Sequence, residues 1–171
     1  ALALVSAAPA AAQEVSYGPV FTEFGPVVDV PDADLAIPED ASFHVAFDVS
    51  RGAEDGQFNR GFESAARLIN MHARAGVAPM ENRAAVVVHG AAVLDLLTDA
   101  AWVARDRGEA NPSGAAVGEM IDQGVRFIVC GQSAAGQGVA KSELIPGVEL
   151  ALSAMTAHAL LQQQGYTVNP F

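Results

Sequence analysis

The hydrophobic positions of this chain change period repeatedly between residues 43 and 171. Phe43-His-Val-Ala-Phe-Asp-Val49 reads as a first strand, and Ala84-Ala-Val-Val-Val-His89 is a nearly continuous, β-branched run typical of a central parallel strand. Between them, Phe62, Ala66, Ile69 and Ala73 recur at helical spacing. Asn59 caps that helix, and Gly76 stops it. Gly90 turns the second strand into a helical stretch over 91–97, read as running on past Trp102 to Arg107. Asn111-Pro112 opens the next helix, with Asn as cap and Pro at the first helical position. Val117, Met120 and Ile121 give its apolar face, and Gly124 its end.

Arg126-Phe-Ile-Val-Cys130 then reads as a buried strand that runs into a glycine-rich turn and a short helix toward Leu144. Val148-Glu-Leu-Ala-Leu152 fits two readings. It is either part of one long helix ending at Gln164, or a short strand before a helix that Ser153 caps. Gly165 stops that helix, and 166–169 is a terminal strand. Strands alternating with helices imply parallel pairing with right-handed crossovers, a three-layer α/β/α sandwich.

The stretch ahead of this pattern is different. Residues 13–41 carry Pro19, Pro26, Pro31 and Pro38 among acids and the aromatics Tyr17, Phe21 and Phe24. Proline at that density prevents a long helix or a central strand, so an extended arm is expected, with a short edge strand near 27–30. Residues 1–12 (ALALVSAAPAAA) read as a truncated secretory signal: an apolar run, Pro9, then the small-residue cleavage pattern Ala10-Ala-Ala12. They are too few to span a bilayer. The expected organisation is a signal remnant over 1–12, an acidic arm over 13–41 and one α/β domain over 42–171. The expected location is the periplasm, after cleavage near Ala12.

Composition narrows the function. A chain of 171 residues, 51% apolar and 17% charged, is a folded domain with a real core. A net charge of −11 argues against nucleic acid, whose phosphates need clustered Lys and Arg. Ten carboxylates fall within residues 14–55 against the single base Arg51, leaving ten acids and eight bases elsewhere. Two readings of that acidic stretch stand: a solvated arm, or one that docks on a basic surface of a neighbouring subunit. One cysteine excludes an intrachain disulfide and a cysteine-rich zinc or iron–sulfur site held by this chain alone.

That cysteine, Cys130, is the candidate reactive atom. It stands at the carboxyl end of a strand, where ligands collect in open α/β sheets. Backbone amides and a helix start just after it would lower its pKa. Gly131 would let a ligand approach the backbone, and Gln132 and Ser133 line the same turn, Ser133 as a helix cap or a donor to the sulfur. His89 and Gly90 end the neighbouring strand at the same edge, which makes His89 a candidate base, and Asp48 is a third polar group on that rim. Each has a plainer role: a small buried hydrophobe for Cys130, a loop hydrogen bond for His89, a turn cap for Asp48. His72 and His158 fall inside helices and read as packing or surface residues. No metal-ligand spacing, P-loop, dinucleotide fingerprint or serine elbow is present, and no cofactor is expected.

Taken together, Val86-Val-Val-His89-Gly90, Asn111-Pro112, Gly124-Val-Arg-Phe-Ile-Val-Cys130, Leu152-Ser-Ala-Met-Thr156 and Gln164-Gly-Tyr166 resemble the DsrE/DsrF-like family of small sulfur-relay proteins, in particular its exported members. The resemblance runs from Phe43 onward and leaves the acidic arm unaccounted for. It implies a mainly parallel five-stranded sheet between helix layers and assembly into homo-oligomers such as trimers or hexamers. It also implies a sulfur carrier or sulfurtransferase whose cysteine, here Cys130, bears a persulfide passed between thiol-bearing partner proteins. Some members place an Arg-Gly pair about eight residues after the cysteine where this chain has Gln137-Gly138; Lys141 has two readings, a replacement charge for the loop or a solvated surface residue. Against this stand an oligomeric small-ligand-binding protein, in which Cys130 only lines a cleft, and a structural subunit whose acidic arm wraps a neighbour.

Overall fold

The structure, a computed structural model, describes residues 12–169. The expected signal remnant, save for Ala12, lies outside them. Five strands, β1 (Phe43–Val49), β2 (Asn82–Val88), β3 (Arg126–Cys130), β4 (Glu149–Ala151) and β5 (Thr167–Asn169), form one sheet in the order β4-β3-β2-β1-β5. Every pairing is parallel. The helices are α1 (Arg60–Arg74), α2 (Asp99–Ala104), α3 (Gly114–Asp122), α4 (Gly131–Gly136) and α5 (Ala154–Gln163).

Because side chains alternate across a strand, the pleat sorts the core in two. Phe47, Val49, Val86, Val88, Phe127 and Val129 face α1, α2 and α3 in the larger cluster, with Phe62 and Phe127 meeting edge to face, their centroids 5.2 Å apart. Ala46, Ala85, Val87 and Ile128 point the other way, onto Ala157 and Leu161 of α5. The register sets Val49 opposite Val88 and Val88 opposite Val129, so β1, β2 and β3 end nearly level. That parity, continued upward, sends Asp48, His89 and Cys130 to the α5 side.

Several elements depart from the pattern read in the sequence. The helical stretch expected over 91–107 is a 3-10 segment, Gly90–Leu96, and then a separate α2 capped by the Thr98 hydroxyl. Leu97 leaves helical geometry to bridge Leu144, which divides the two. Asn111 does cap the turn at Pro112, its Oδ1 accepting from the Ser113 N–H, but regular helix begins two residues later than expected. The Asn111 side chain donates to the carbonyls of Asp95 and Leu97, and α3 starts at Gly114. The glycine-rich turn after Cys130 is largely helix, since α4 begins at Gly131 with Cys130 in the N-cap position. At 148–152 the strand reading holds, and Ser153 caps α5 through the Thr156 amide.

The arm is docked over half its length. Phe21 and Phe24 stack 5.0 Å apart and are buried, as is Val27. Burial is worth about 1.5–3 kcal/mol for each such side chain. The Asn70 amide accepts from the Phe21 N–H and donates to the carbonyls of Phe21 and Gly25, while Arg74 donates to those of Tyr17 and Gly18. The edge strand expected near 27–30 is absent: one antiparallel bridge, Ser16 to Val27, takes its place, and residues 28–40 are exposed. Without a partner strand, their acids and prolines stay in water.

Candidate functional site

β1, β2 and β3 deliver Asp48, His89 and Cys130 side by side at the carboxyl edge of the sheet, with β2 between the other two. His89 keeps extended backbone (φ −147°, ψ −176°), so its side chain follows the pleat. Neighbouring strands lie about 4.8 Å apart, which sets the spacing of these three positions.

The thiol half of the site is built by β3, α4 and α5. Cys130 is 5% exposed. Burial alone would raise its pKa, but the Ser133 hydroxyl and the backbone N–H groups of Ser133, Ala154 and Gln132 outweigh that and bring it below the ordinary thiol value. None of these amides makes a closely aligned cap bond to the sulfur. They act as N–H dipoles converging on it from the first turns of two helices. Ser133 is itself held, because its Oγ accepts from the Gly90 N–H at 3.2 Å.

Gly131 is required by the chain's own packing. A Cβ there would stand 2.5 Å from the Ala151 carbonyl oxygen, so only glycine lets α4 begin against β4. Gln132 is exposed and reaches the Leu152 carbonyl. The Gln137 side chain donates to the Gly90 carbonyl at 2.8 Å and ties the end of α4 to the turn that follows β2. The cation that reaches the 137–138 turn is Arg105, which donates to the Gln137 and Gly138 carbonyls and pairs with Glu143, whereas Lys141 is exposed.

The acid–base half is Asp48 with two imidazoles. His89 Nε2 lies 3.2 Å from both carboxylate oxygens, and His158 Nε2, from α5, lies 2.8 Å from Oδ1. Burial would raise Asp48, but hydrogen bonds from His158 and His89, with their charge, hold its pKa below the usual carboxylate value. Both Nε2 atoms face a carboxylate, so both carry the proton as donors.

No hydrogen bond joins His89 to Cys130 in this resting arrangement; the expected rim residues are therefore together, in two linked groups. His158 is the member that reading the sequence assigned to packing or surface. Its signal was helix phase: Ala154, Ala157, His158 and Leu161 share one face of α5, the face that packs on the sheet. His72 does pack, stacked on Phe43 and bonded to Asn82.

A depression of about 1230 Å³ lies over the loop from Ser50 to Asn59 and the start of α1. Asp48 borders it and Cys130 does not, so the thiol, rather than the cavity, defines the site. Among the described residues no three His, Cys, Asp or Glu side chains are arranged to hold a metal ion, and no helix is long and apolar enough to cross a membrane.

Comparison with known proteins agrees with this architecture. The model of the DsrE/DsrF-like family matches residues 44–170. A protein of unknown function from Methanobacterium thermoautotrophicum, MTH1491, superposes with a TM-score of 0.52 at 22% identity, covering 76% of this chain and 100% of that one. The ychN protein from E. coli gives 0.51 at 19% identity, covering 75% and 100%. At these identities the two structures speak for the fold alone. No curated protein matches the sequence.

Proposed function

The chain belongs to the DsrE/DsrF-like family, associated with sulfur relay, and from that premise we propose that it carries sulfane sulfur as a persulfide on Cys130. The observation that carries this reading is the convergence of the Ser133 hydroxyl and three backbone N–H groups on a nearly buried thiol, which favours its thiolate. Only the thiolate attacks a sulfane sulfur.

In the loading step the Cys130 thiolate attacks the terminal sulfur of a donor persulfide. The donor's S–S bond breaks, a new S–S bond forms on Cys130, and the donor leaves as a thiolate, with no net oxidation. His89, oriented by Asp48, is the proposed acceptor of the thiol proton, which it returns to the leaving thiolate. Unloading repeats the exchange with an acceptor thiol. Because Cys130 is the only cysteine of the chain, that acceptor lies on another molecule. Asp48, Gly90, Gly131, Gln132 and Ser133 are the proposed ligand-binding residues of this rim. The proposal includes a homo-oligomer, a trimer or hexamer as in the family, and export to the periplasm with cleavage near Ala12; the arm remains with the folded domain.

Intact-mass measurement after incubation with a protein persulfide donor tests the reading. The protein is expected to gain the mass of one sulfur atom that a reductant removes. A Cys130→Ser protein that still gains it would sink the proposal.

One observation favours a second reading. With Cys130 at 5% exposure, a non-catalytic oligomeric protein could hold a small ligand at this edge and use the sulfur only as lining. A thiol that resists alkylation in the native state across neutral pH would decide for it.

A further inference from the structure

Two groups of α5 enter the site: the Ala154 N–H at its first residue, directed at Cys130, and His158 one turn on, bonded to Asp48. We infer that His158 is a positioning residue, which fixes the Asp48 carboxylate and through it the tautomer and orientation of His89. The consequence for reactivity rests on the sulfur-relay reading; the positioning itself does not.

Three observations carry this. First, the helix histidine is the carboxylate's closest partner. His158 Nε2 stands 2.8 Å from Oδ1, against 3.2 Å from His89 Nε2 to either oxygen. Donors from two different places, α5 and the residue just after β2, therefore grip one carboxylate, and a carboxylate so held cannot rotate freely.

Second, His158 Nδ1 is buried and has no hydrogen-bond partner among the described residues. A proton on Nδ1 would be a buried N–H without an acceptor, so the geometry places the donor proton of His158 on Nε2, facing Asp48. It is a donor of fixed kind, whereas His89, at 31% side-chain exposure, stays open to exchange with solvent. With His89 Nε2 committed to Asp48, Nδ1 is left as the acceptor atom of the ring that sits between Asp48 and Cys130 in the sheet order.

Third, α5 does not need this histidine in order to dock. Ala157 and Leu161 are its buried residues, packed on Ala46, Ala85, Val87 and Ile128. No other side chain of α5 is ionisable, and the nearby end of the sheet face beneath it presents only Asp48, His89 and Cys130 as titratable groups. A polar ring on a small apolar face, aimed at the one carboxylate there, is explained by that carboxylate.

The test uses the full chain with ¹⁵N-labelled histidine, and the variants His158→Phe and His158→Gln. The glutamine keeps an N–H near the Nε2 position and guards against a phenylalanine variant that fails to fold. Long-range ¹H–¹⁵N spectra are expected to show both His158 and His89 protonated at Nε2 near neutral pH. The His89 pattern is expected to persist in His158→Gln and to become a mixture of tautomers in His158→Phe. In parallel, alkylation of Cys130 by iodoacetamide is expected to slow about tenfold or more in His158→Phe and to stay within about threefold in His158→Gln, the scale on which a positioned base contributes. A folded His158→Phe protein with an unchanged His89 tautomer, or a His158 ring protonated at Nδ1, overturns the inference. If the tautomers behave as expected while wild-type Cys130 is inert to alkylation, the sulfur-relay reading fails and the positioning role stands.

Discussion

Ser133 decides how Cys130 behaves. Its hydroxyl is the strongest of the groups that favour the thiolate, and burial is the larger influence acting against it. Removing the hydroxyl leaves burial less opposed, so the thiol of Ser133→Ala ionises at higher pH than that of the wild type. The pH profile of iodoacetamide alkylation should shift upward, with a several-fold slower reaction at neutral pH, the scale of one lost hydrogen bond. An unshifted profile would assign the effect to the amides alone. Cys130 itself was legible in the sequence, as the sole cysteine at the end of an apolar strand. Asp48 and His89 were legible as strand ends, because parallel register puts strand ends together. His158 was not, since a histidine inside a helix is marked only by a face whose partner the sequence does not name.

Among the elements, α4 is the tightest fit. Its first residue touches the edge strand so closely that Gly131→Ala must push α4 from β4 or bend both. The expected cost is about 1–3 kcal/mol of stability, as for overpacked sites. Calorimetry should read it as a fall in Tm of about 2–4 °C per kcal/mol in a protein of this size. The same change should slow alkylation of Cys130, because the Gln132 and Ser133 amides move with the helix. An alanine variant with the wild-type Tm would show that the contact relaxes without cost. The sequence assigned that glycine to close approach of a ligand; its close packing on β4 is a second demand for glycine, and only the three-dimensional course of residue 151 reveals it. The break near Leu97 was hidden for a similar reason. Ala91, Ala92, Val93, Leu94 and Leu96 favour a helix locally, and the bridge from Leu97 to Leu144, some 47 residues away, overrides them.

At the scale of the whole molecule, the alternation of strands and helices declared the sheet, but not its order. Nothing in the apolar pattern says that β5 returns beside β1 while β4 closes the other edge. The charge asymmetry was legible, and the structure divides it further. Residues 16–27 are fastened to α1 by the two phenylalanines, Asn70 and Arg74, and residues 28–40 carry their acids in the open. This fastening involves no covalent link beyond the chain itself. A glutamate-specific protease that cuts after Glu39 should therefore yield a protein in two pieces that still elutes as one, with the short piece released only by denaturant. Release under native conditions would mean that the grip of Asn70 and Arg74 is too weak to hold it. If the pieces stay together, the arm ahead of Asp40 can be supplied as a separate peptide, and the α/β domain becomes one half of a complementing pair.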